Sequence, residues 1–181
     1  MLRHAVSEEE LNLLQDLYEA SFPEAEKKPF AFMVKKREEG FFDLLMVEDG
    51  QGEFCGLAIM LLSGGFALLD YLAIVPRNQG GGLGSDTLAR LREIYGSDRV
   101  VVEIESTVGA EAEAAQNRRE RLRRKDFYLH NGMSPTGLLV NLMGVEMEVL
   151  TFGRELTFEE YYTIYDNVFP GGAGDKVRQA G

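Results

Sequence analysis

Residues 69–85 read Leu69-Asp70-Tyr71-Leu72-Ala73-Ile74-Val75-Pro76-Arg77-Asn78-Gln79-Gly80-Gly81-Gly82-Leu83-Gly84-Ser85. The run from Phe66 to Val75 has the apolar texture of a strand, and four glycines then fall among Gly80 to Gly84. Leu88, Leu91, Ile94 and Tyr95 follow at helical spacing, and Val100-Val101-Val102-Glu103-Ile104-Glu105 reads as a further strand. This is a β-loop-α-β unit, whose strands are expected to be parallel neighbours joined by a right-handed crossover. Glycines between a strand and a helix expose backbone N–H groups and let an anion approach the positive end of the helix, so the loop is an expected anion site.

Upstream, Phe41 to Val47, Glu53 to Leu62 and Phe66 to Val75 alternate with turns at Asp49-Gly50 and Gly64-Gly65, the pattern of an antiparallel meander. Two helices precede it. The first spans about residues 7–20, opened by the capping box Ser7-Glu8-Glu9-Glu10. The second is lysine-rich, runs from Pro29 to Glu39 and ends at Gly40. Downstream, the polar stretch Thr107 to Ala115 leads into a basic helix that stops at Asn131-Gly132. Strands follow over Thr136 to Met143 and Glu146 to Phe152, and Thr157-Phe158-Glu159-Glu160 opens a last helix toward Phe169. The expected fold class is α/β with α+β character: a central mixed sheet with an antiparallel N-terminal meander, the β-loop-α-β unit and flanking helices. A single domain is expected over residues 1–170, with a disordered tail over 171–181.

A chain of 181 residues, 45% hydrophobic and 27% charged, has enough apolar content for one sizeable core. Met1 to Glu10 contains no apolar segment ahead of its acidic cluster, and no run approaches the ~20 residues of a membrane span, so a cytoplasmic protein with no membrane partner is expected. The lone Cys55 is assigned to the core. With only His4 and His130 beside it, no metal site is expected. A net charge of −11 opposes binding to a nucleic-acid backbone and is compatible with a cationic amine.

Three phosphate-binding templates compete for the glycine loop. A P-loop needs Lys and then Ser or Thr after its last glycine, but Gly84 is followed by Ser85-Asp86. A Rossmann fingerprint fits poorly, because its third glycine falls on Ser85 or Thr87 and an antiparallel meander precedes it. The third template, Arg/Gln-x-x-Gly-x-Gly/Ala, is matched by Gln79-Gly80-Gly81-Gly82-Leu83-Gly84.

At these residues, and along Leu69 to Pro76 before them, the sequence resembles the GNAT superfamily of acyl-CoA-dependent N-acyltransferases. The likeness extends more loosely to Arg123-Arg124-Lys125-Asp126-Phe127-Tyr128-Leu129-His130-Asn131-Gly132-Met133, which is similar to the family's later helix ending in Phe-Tyr. The resemblance implies acetyl-CoA or another acyl-CoA as co-substrate. Its pantetheine arm would pair with the backbone of Leu72, Ala73 and Ile74 as an added strand, the Leu72 N–H would polarise the thioester carbonyl, and the amides of Gly80, Gly81, Gly82, Leu83, Gly84 and Ser85 would receive the pyrophosphate. Arg77 and Gln79 are supporting contacts, and Asn117 would bond the pantetheine or pyrophosphate region.

Acyl transfer to an amine needs a neutral nucleophile, an oxyanion donor and an acid near the departing thiolate. The resemblance makes Tyr128 the candidate acid. Glu103 and Glu105, on one face of their strand, and Asp70, on the cofactor strand, are the candidate bases. The acidic position of some relatives is Leu68 here. Arg118, Arg119, Arg121, Arg123, Arg124 and Lys125 wrap too far around their helix to form one face, so most are expected in solvent, with one or two left for the 3′-phosphate of CoA. The expected reaction is direct transfer of an acetyl or short acyl group to a small amine or peptide amine. A catalytically silent acyl-CoA-binding module and a nucleotide-binding protein are the alternatives, and a homodimer contact is expected at the final strands.

Overall fold

The computed structural model describes residues 1–169 and 172–180. It is a mixed α/β fold built on an eight-stranded sheet. Two compact units divide the chain, Met1–Leu62 with Leu69–Ile94, and Ser63–Leu68 with Tyr95–Gly181.

In the first unit, β1 (Leu2–His4), β2 (Phe42–Glu48), β3 (Phe54–Ser63) and β4 (Phe66–Ile74) are neighbours in that order. β1 and β3 both pair antiparallel with β2, and a bulge falls between Val47 and Glu48. The Asp49 carboxylate closes the β2–β3 turn by accepting from the Gln51 and Glu53 N–H groups at 2.9 and 3.0 Å. Helices α1 (Glu8–Ser21) and α2 (Phe30–Glu38) pack on β2. The Ser7/Glu10 capping box forms as its spacing requires. α2 ends in a Schellman motif, with Gly40 at φ +83°, its N–H on Arg37 O and the Phe41 N–H on Lys36 O. Residues 55–61 of β3 are buried without a break, because the sheet is covered on both faces. Gly56 is required there: a Cβ at this position would lie 2.5 Å from Ala73 O and 2.8 Å from Ile74 Cδ1, so its absence lets β3 approach the end of β4. The 3₁₀ turn Pro76–Asn78 and α3 (Leu83–Tyr95) follow β4.

In the second unit, the start of β4 is followed by β5 (Val100–Glu105), β7 (Val145–Thr151), β6 (Ser134–Leu142) and β8 (Val177–Gln179) in spatial order. The Ala67 N–H donates to Arg99 O at 2.9 Å, and β5–β7, β7–β6 and β6–β8 are all antiparallel. A bulge between Pro135 and Leu139 carries Gly137 at φ +82°. Met143 and Gly144, at φ 51° and 94°, close β6 and β7 with a turn of the two-residue type that needs positive φ at both positions. α5 (Arg118–His130) ends in a second Schellman motif, at Gly132, with the Met133 N–H on Tyr128 O. α6 (Phe158–Asp166) starts at the Thr157/Glu160 capping box and buries Tyr161, Ile164 and Tyr165.

The structure corrects four expectations. The tail is ordered through its described part: 174–176 form a 3₁₀ turn and 177–179 form β8, because Val177 buries and the strand finds the edge of β6, while Gly171 and Gly181 lie outside the described residues. β1 was not expected before the first helix. It is only three residues long and exists through its register with β2. The stretch Thr107 to Ala115 contains a short helix, α4 (Gly109–Ala114), which buries Ala112. Ile94, read as part of the apolar face of α3, is 56% exposed, because Thr87, Leu88 and Leu91 complete that face. Cys55 is buried as expected.

Candidate functional site

The sequence-predicted residues fall into two groups, one in each compact unit. In the first unit, β4 delivers the chain through Pro76–Asn78 to the glycine loop and α3. Gly80 and Gly82 adopt φ +80° and +86°, and no atom lies within 4 Å of where their Cβ would be, so the loop keeps its backbone bare and its approach open. The Asp86 N–H closes the first helical bond of α3 on Gly82 O at 3.0 Å. The amides of Leu83, Gly84 and Ser85 belong to the first turn, where the N–H groups have no intrahelical acceptor and the dipole is positive. Bare glycines and helix-end amides are a donor set that fits a diphosphate. The Gln79 side-chain amide donates to Ile74 O at 2.9 Å, so Gln79 fastens the loop to the end of β4, and Arg77 stays exposed beside Asn78.

Leu72 and Ile74 are half-buried and Ala73 is buried, the alternation of a strand covered more fully on one face. Asp70 precedes them on β4. Its carboxylate accepts from Lys28 Nζ at 2.8 Å, a partner with no signature in the sequence.

In the second unit, Glu103 and Glu105 project from β5 as expected, but each is engaged. The Tyr165 hydroxyl donates to Glu103 at 2.8 Å. Glu105 receives Arg121 Nη2 at 2.7 Å and Asn117 Nδ2 at 3.0 Å. Arg121 Nε returns to Asn117 Oδ1 at 2.8 Å and its Nη1 donates to Ser106 O at 3.1 Å. The structure thus brings Glu105 and Asn117 together in a ring closed by Arg121. A neighbouring group repeats the device one helical turn on. Lys125 Nζ donates to Glu148 at 2.5 Å and to Thr107 Oγ1 at 2.9 Å, and the Thr107 N–H donates to Glu148 at 2.7 Å. Burial opposes the charge of Glu148, but the bonds from Lys125 and Thr107 outweigh it and hold the carboxyl below the ordinary range. Of the basic run, Arg118, Arg119, Arg123 and Arg124 are exposed as expected, whereas Arg121 and Lys125, four residues apart on one face of α5, turn inward.

Tyr128 is buried on the last turn of α5 and packs edge-on to Phe127, with ring centroids 5.1 Å apart. Burial pushes its hydroxyl up to about 12 against a smaller opposing effect of Arg124. The group is therefore a phenol at every physiological pH, able to donate a proton or a hydrogen bond.

The chain has the fold of solved GNAT-family acetyltransferase structures. A GNAT-family acetyltransferase structure from Bacteroides thetaiotaomicron matches with a TM-score of 0.69 at 20% identity, over 90% of this chain and 91% of that one. An aminoglycoside 6'-N-acetyltransferase complexed with coenzyme A matches with a TM-score of 0.64 at 15% identity, over 87% and 99%. The spermidine N-acetyltransferase of Vibrio cholerae, in complex with CoA and spermine, matches with a TM-score of 0.57 at 16% identity, over 83% and 92%. At these identities the likeness is one of fold. No family model matches the chain, and no curated protein matches its sequence.

Proposed function

We propose that residues 1–170 act as one acyltransferase domain, moving an acetyl or short acyl group from acyl-CoA to a primary amine by direct attack in a ternary complex. The observation that carries this reading is the loop after β4, where left-handed Gly80 and Gly82 leave bare backbone in front of the α3 N-terminus. Acyl-CoA supplies an activated thioester. The chain supplies the rest: loop amides of Gly80 to Ser85 for the pyrophosphate, the β4 backbone from Leu72 to Ile74 for the amide-rich arm, and the Leu72 N–H as the oxyanion donor. Tyr128, a phenol kept protonated by its burial, is the proton donor to the leaving thiolate in this reading. Among the carboxylates, Asp70 and Glu105 are each occupied by a cation, and Glu103, oriented by the Tyr165 hydroxyl, takes the role of proton acceptor in this reading. No described helix is long and apolar enough to cross a membrane.

A specific observation favours a second reading. All three candidate bases hold internal partners, as expected of a fold that binds acyl-CoA without turning it over. Calorimetry with acetyl-CoA, with NAD and ATP as controls, tests what both readings share. Binding selective for acetyl-CoA and lost in Gly82→Glu supports the loop assignment, and equal or absent binding of all three ligands sinks both. Release of free thiol when a panel of amines is added then separates the enzyme from the silent module.

A further inference from the structure

In the first compact unit, Asp70 Oδ2 is buried and has no hydrogen-bond partner. The other oxygen of the same carboxylate takes the Lys28 ammonium at 2.8 Å, and the side chains are only 7% and 14% exposed. The ammonium also lies 5.3 Å from the centroid of the Tyr71 ring. A carboxylate beside an aromatic face is a receptor for an alkylammonium, combining an ion pair with a cation–π contact. Lys28 fills it half-way, serving one carboxylate oxygen and leaving the other desolvated and unpaired, a costly state for an anion.

The segment carrying Lys28 is held by its backbone. The Lys28 N–H donates to the Tyr71 hydroxyl at 3.1 Å, the Lys28 carbonyl accepts from the Tyr18 hydroxyl at 2.9 Å, and the Tyr71 hydroxyl donates to Glu26 O at 2.9 Å. Burial drives both tyrosines well above their ordinary pKa, so these bonds persist at any physiological pH. Tyr18 and Phe22 both pack edge-on to Tyr71, at centroid distances of 4.8 and 4.9 Å, and make the floor rigid. The backbone is fixed, while the Lys28 side chain beyond it is a flexible four-carbon stem.

We propose that the Lys28 ammonium is the resident occupant of the acceptor's ammonium site, and that a diamine acceptor binds by displacing it from Asp70 and the Tyr71 face. This rests on the amine-acceptor reading above. The exchange conserves charge: one ammonium leaves for solvent and another enters. The incoming group has three N–H donors and no tether, so it reaches both Asp70 oxygens and satisfies the orphan. A nitrogen held in this way keeps its proton and is not the one acylated, which is why the acceptor is a diamine, or an amine with a second cationic nitrogen. Asp70 is then an anchor for the substrate, and Lys28 is an internal competitor that sets how tightly the substrate holds.

The test is calorimetric titration of 1,4-diaminobutane into the full-length protein without acyl-CoA, for wild type, Lys28→Met, Lys28→Arg and Asp70→Asn. An internal competitor raises the apparent Kd by the inverse of the fraction of time it leaves the site free, so for a site free about one-fifth of the time or less Lys28→Met is expected to bind the diamine about 5-fold or more tighter than wild type. Lys28→Arg, whose planar fork grips both carboxylate oxygens, binds it more weakly, and Asp70→Asn loses binding. Equal or weaker binding by folded Lys28→Met overturns the proposal, since a merely structural ion pair gives that result. Should Lys28→Met fail to fold, Lys28→Arg decides, because it keeps the charge: unchanged or tighter diamine binding overturns the proposal. A parallel acetyl-CoA titration keeps the failures apart. Loss of acetyl-CoA binding counts against the acyltransferase reading, and a failed Lys28 series beside normal acetyl-CoA binding counts against the exchange alone.

Discussion

Arg121 Nη2 stands 2.7 Å from Glu105 Oε1, and the same guanidinium holds Asn117 Oδ1 and Ser106 O, so one side chain of α5 ties the end of β5 to the start of its own helix. Glu105 and Arg121 are 15% and 18% exposed, enough burial for the loss of either to leave desolvated donors or acceptors. Arg121→Ala is expected to cost about 1–3 kcal/mol, read as a lower urea midpoint at unchanged m-value, and Glu105→Gln, which keeps an acceptor for Asn117, costs less. The kinetic expectation follows from the same geometry. Glu105→Gln keeps kcat within about 10-fold, whereas loss of a true general base would remove about 10²–10⁴-fold. A loss of that size would move the base to Glu105.

The glycines of the loop are not equivalent. Gly82 sits at φ +86° and Gly81 does not have a positive φ, although neither would clash, the nearest atom to a Gly81 Cβ being Asn78 O at 3.8 Å. Gly82→Ala therefore pays backbone strain alone, about 1–2 kcal/mol. Gly81→Ala reduces the freedom of the unfolded chain at a compatible position and gains about 0.4–1 kcal/mol. Thermal unfolding of the two variants should bracket the wild-type Tm, Gly82→Ala below and Gly81→Ala above. A common drop in both would mean that the left-handed geometry is not what the loop requires.

Acid should loosen the N-terminal helix in a defined window. The hydrogen bond from the Arg3 guanidinium, then those from the Val6 and Ser7 N–H groups, hold the Glu10 carboxyl at about 2, against an ordinary value of 4.5. The folded pKa is depressed, so the contribution to stability is complete above 4.5 and disappears as pH falls toward 2. Glu10→Gln should lower Tm at neutral pH, and the gap to wild type should close over that window. A gap of constant size across it would show that the carboxylate charge plays no part.

The frame of the fold could be read in the sequence wherever a local rule applies. Ser7 with Glu10, Thr157 with Glu160, Gly40 and Asn131-Gly132 mark helix ends by hydrogen bonds that span a few residues, and all of them form. β1 and β8 escaped because nothing local specifies them. Each is three residues long and owes its existence to a distant partner, Leu2 to Val47 and Val177 to Leu142. The candidate site divides in the same way. The glycine loop falls between β4 and α3 and Tyr128 on the last turn of α5, the elements that local patterns predict, but the partners that decide what each carboxylate can do were invisible. Lys28 is 42 residues from Asp70, and Tyr165 is 62 from Glu103. No spacing rule reaches that far, and the basic run of α5 hid its two inward members among four exposed ones.

Tyr128 offers the sharpest separation of chemistry from packing. Its ring is buried, its hydroxyl makes no hydrogen bond among the described residues, and burial pushes its pKa up to about 12. A hydroxyl with no protein partner adds nothing to the folded state, so Tyr128→Phe should leave Tm unchanged or raise it. If the hydroxyl protonates the leaving thiolate, the same variant should lose about 10²-fold or more in kcat while its acetyl-CoA affinity in calorimetry stays near wild type. The wild-type pH profile carries a matching signature. A phenol at about 12 stays protonated through the working range, so no alkaline limb from Tyr128 appears there, and an acidic limb reports a carboxylate or the acceptor amine. Unchanged kcat in Tyr128→Phe would leave Tyr128 as a core residue and move the proton to solvent.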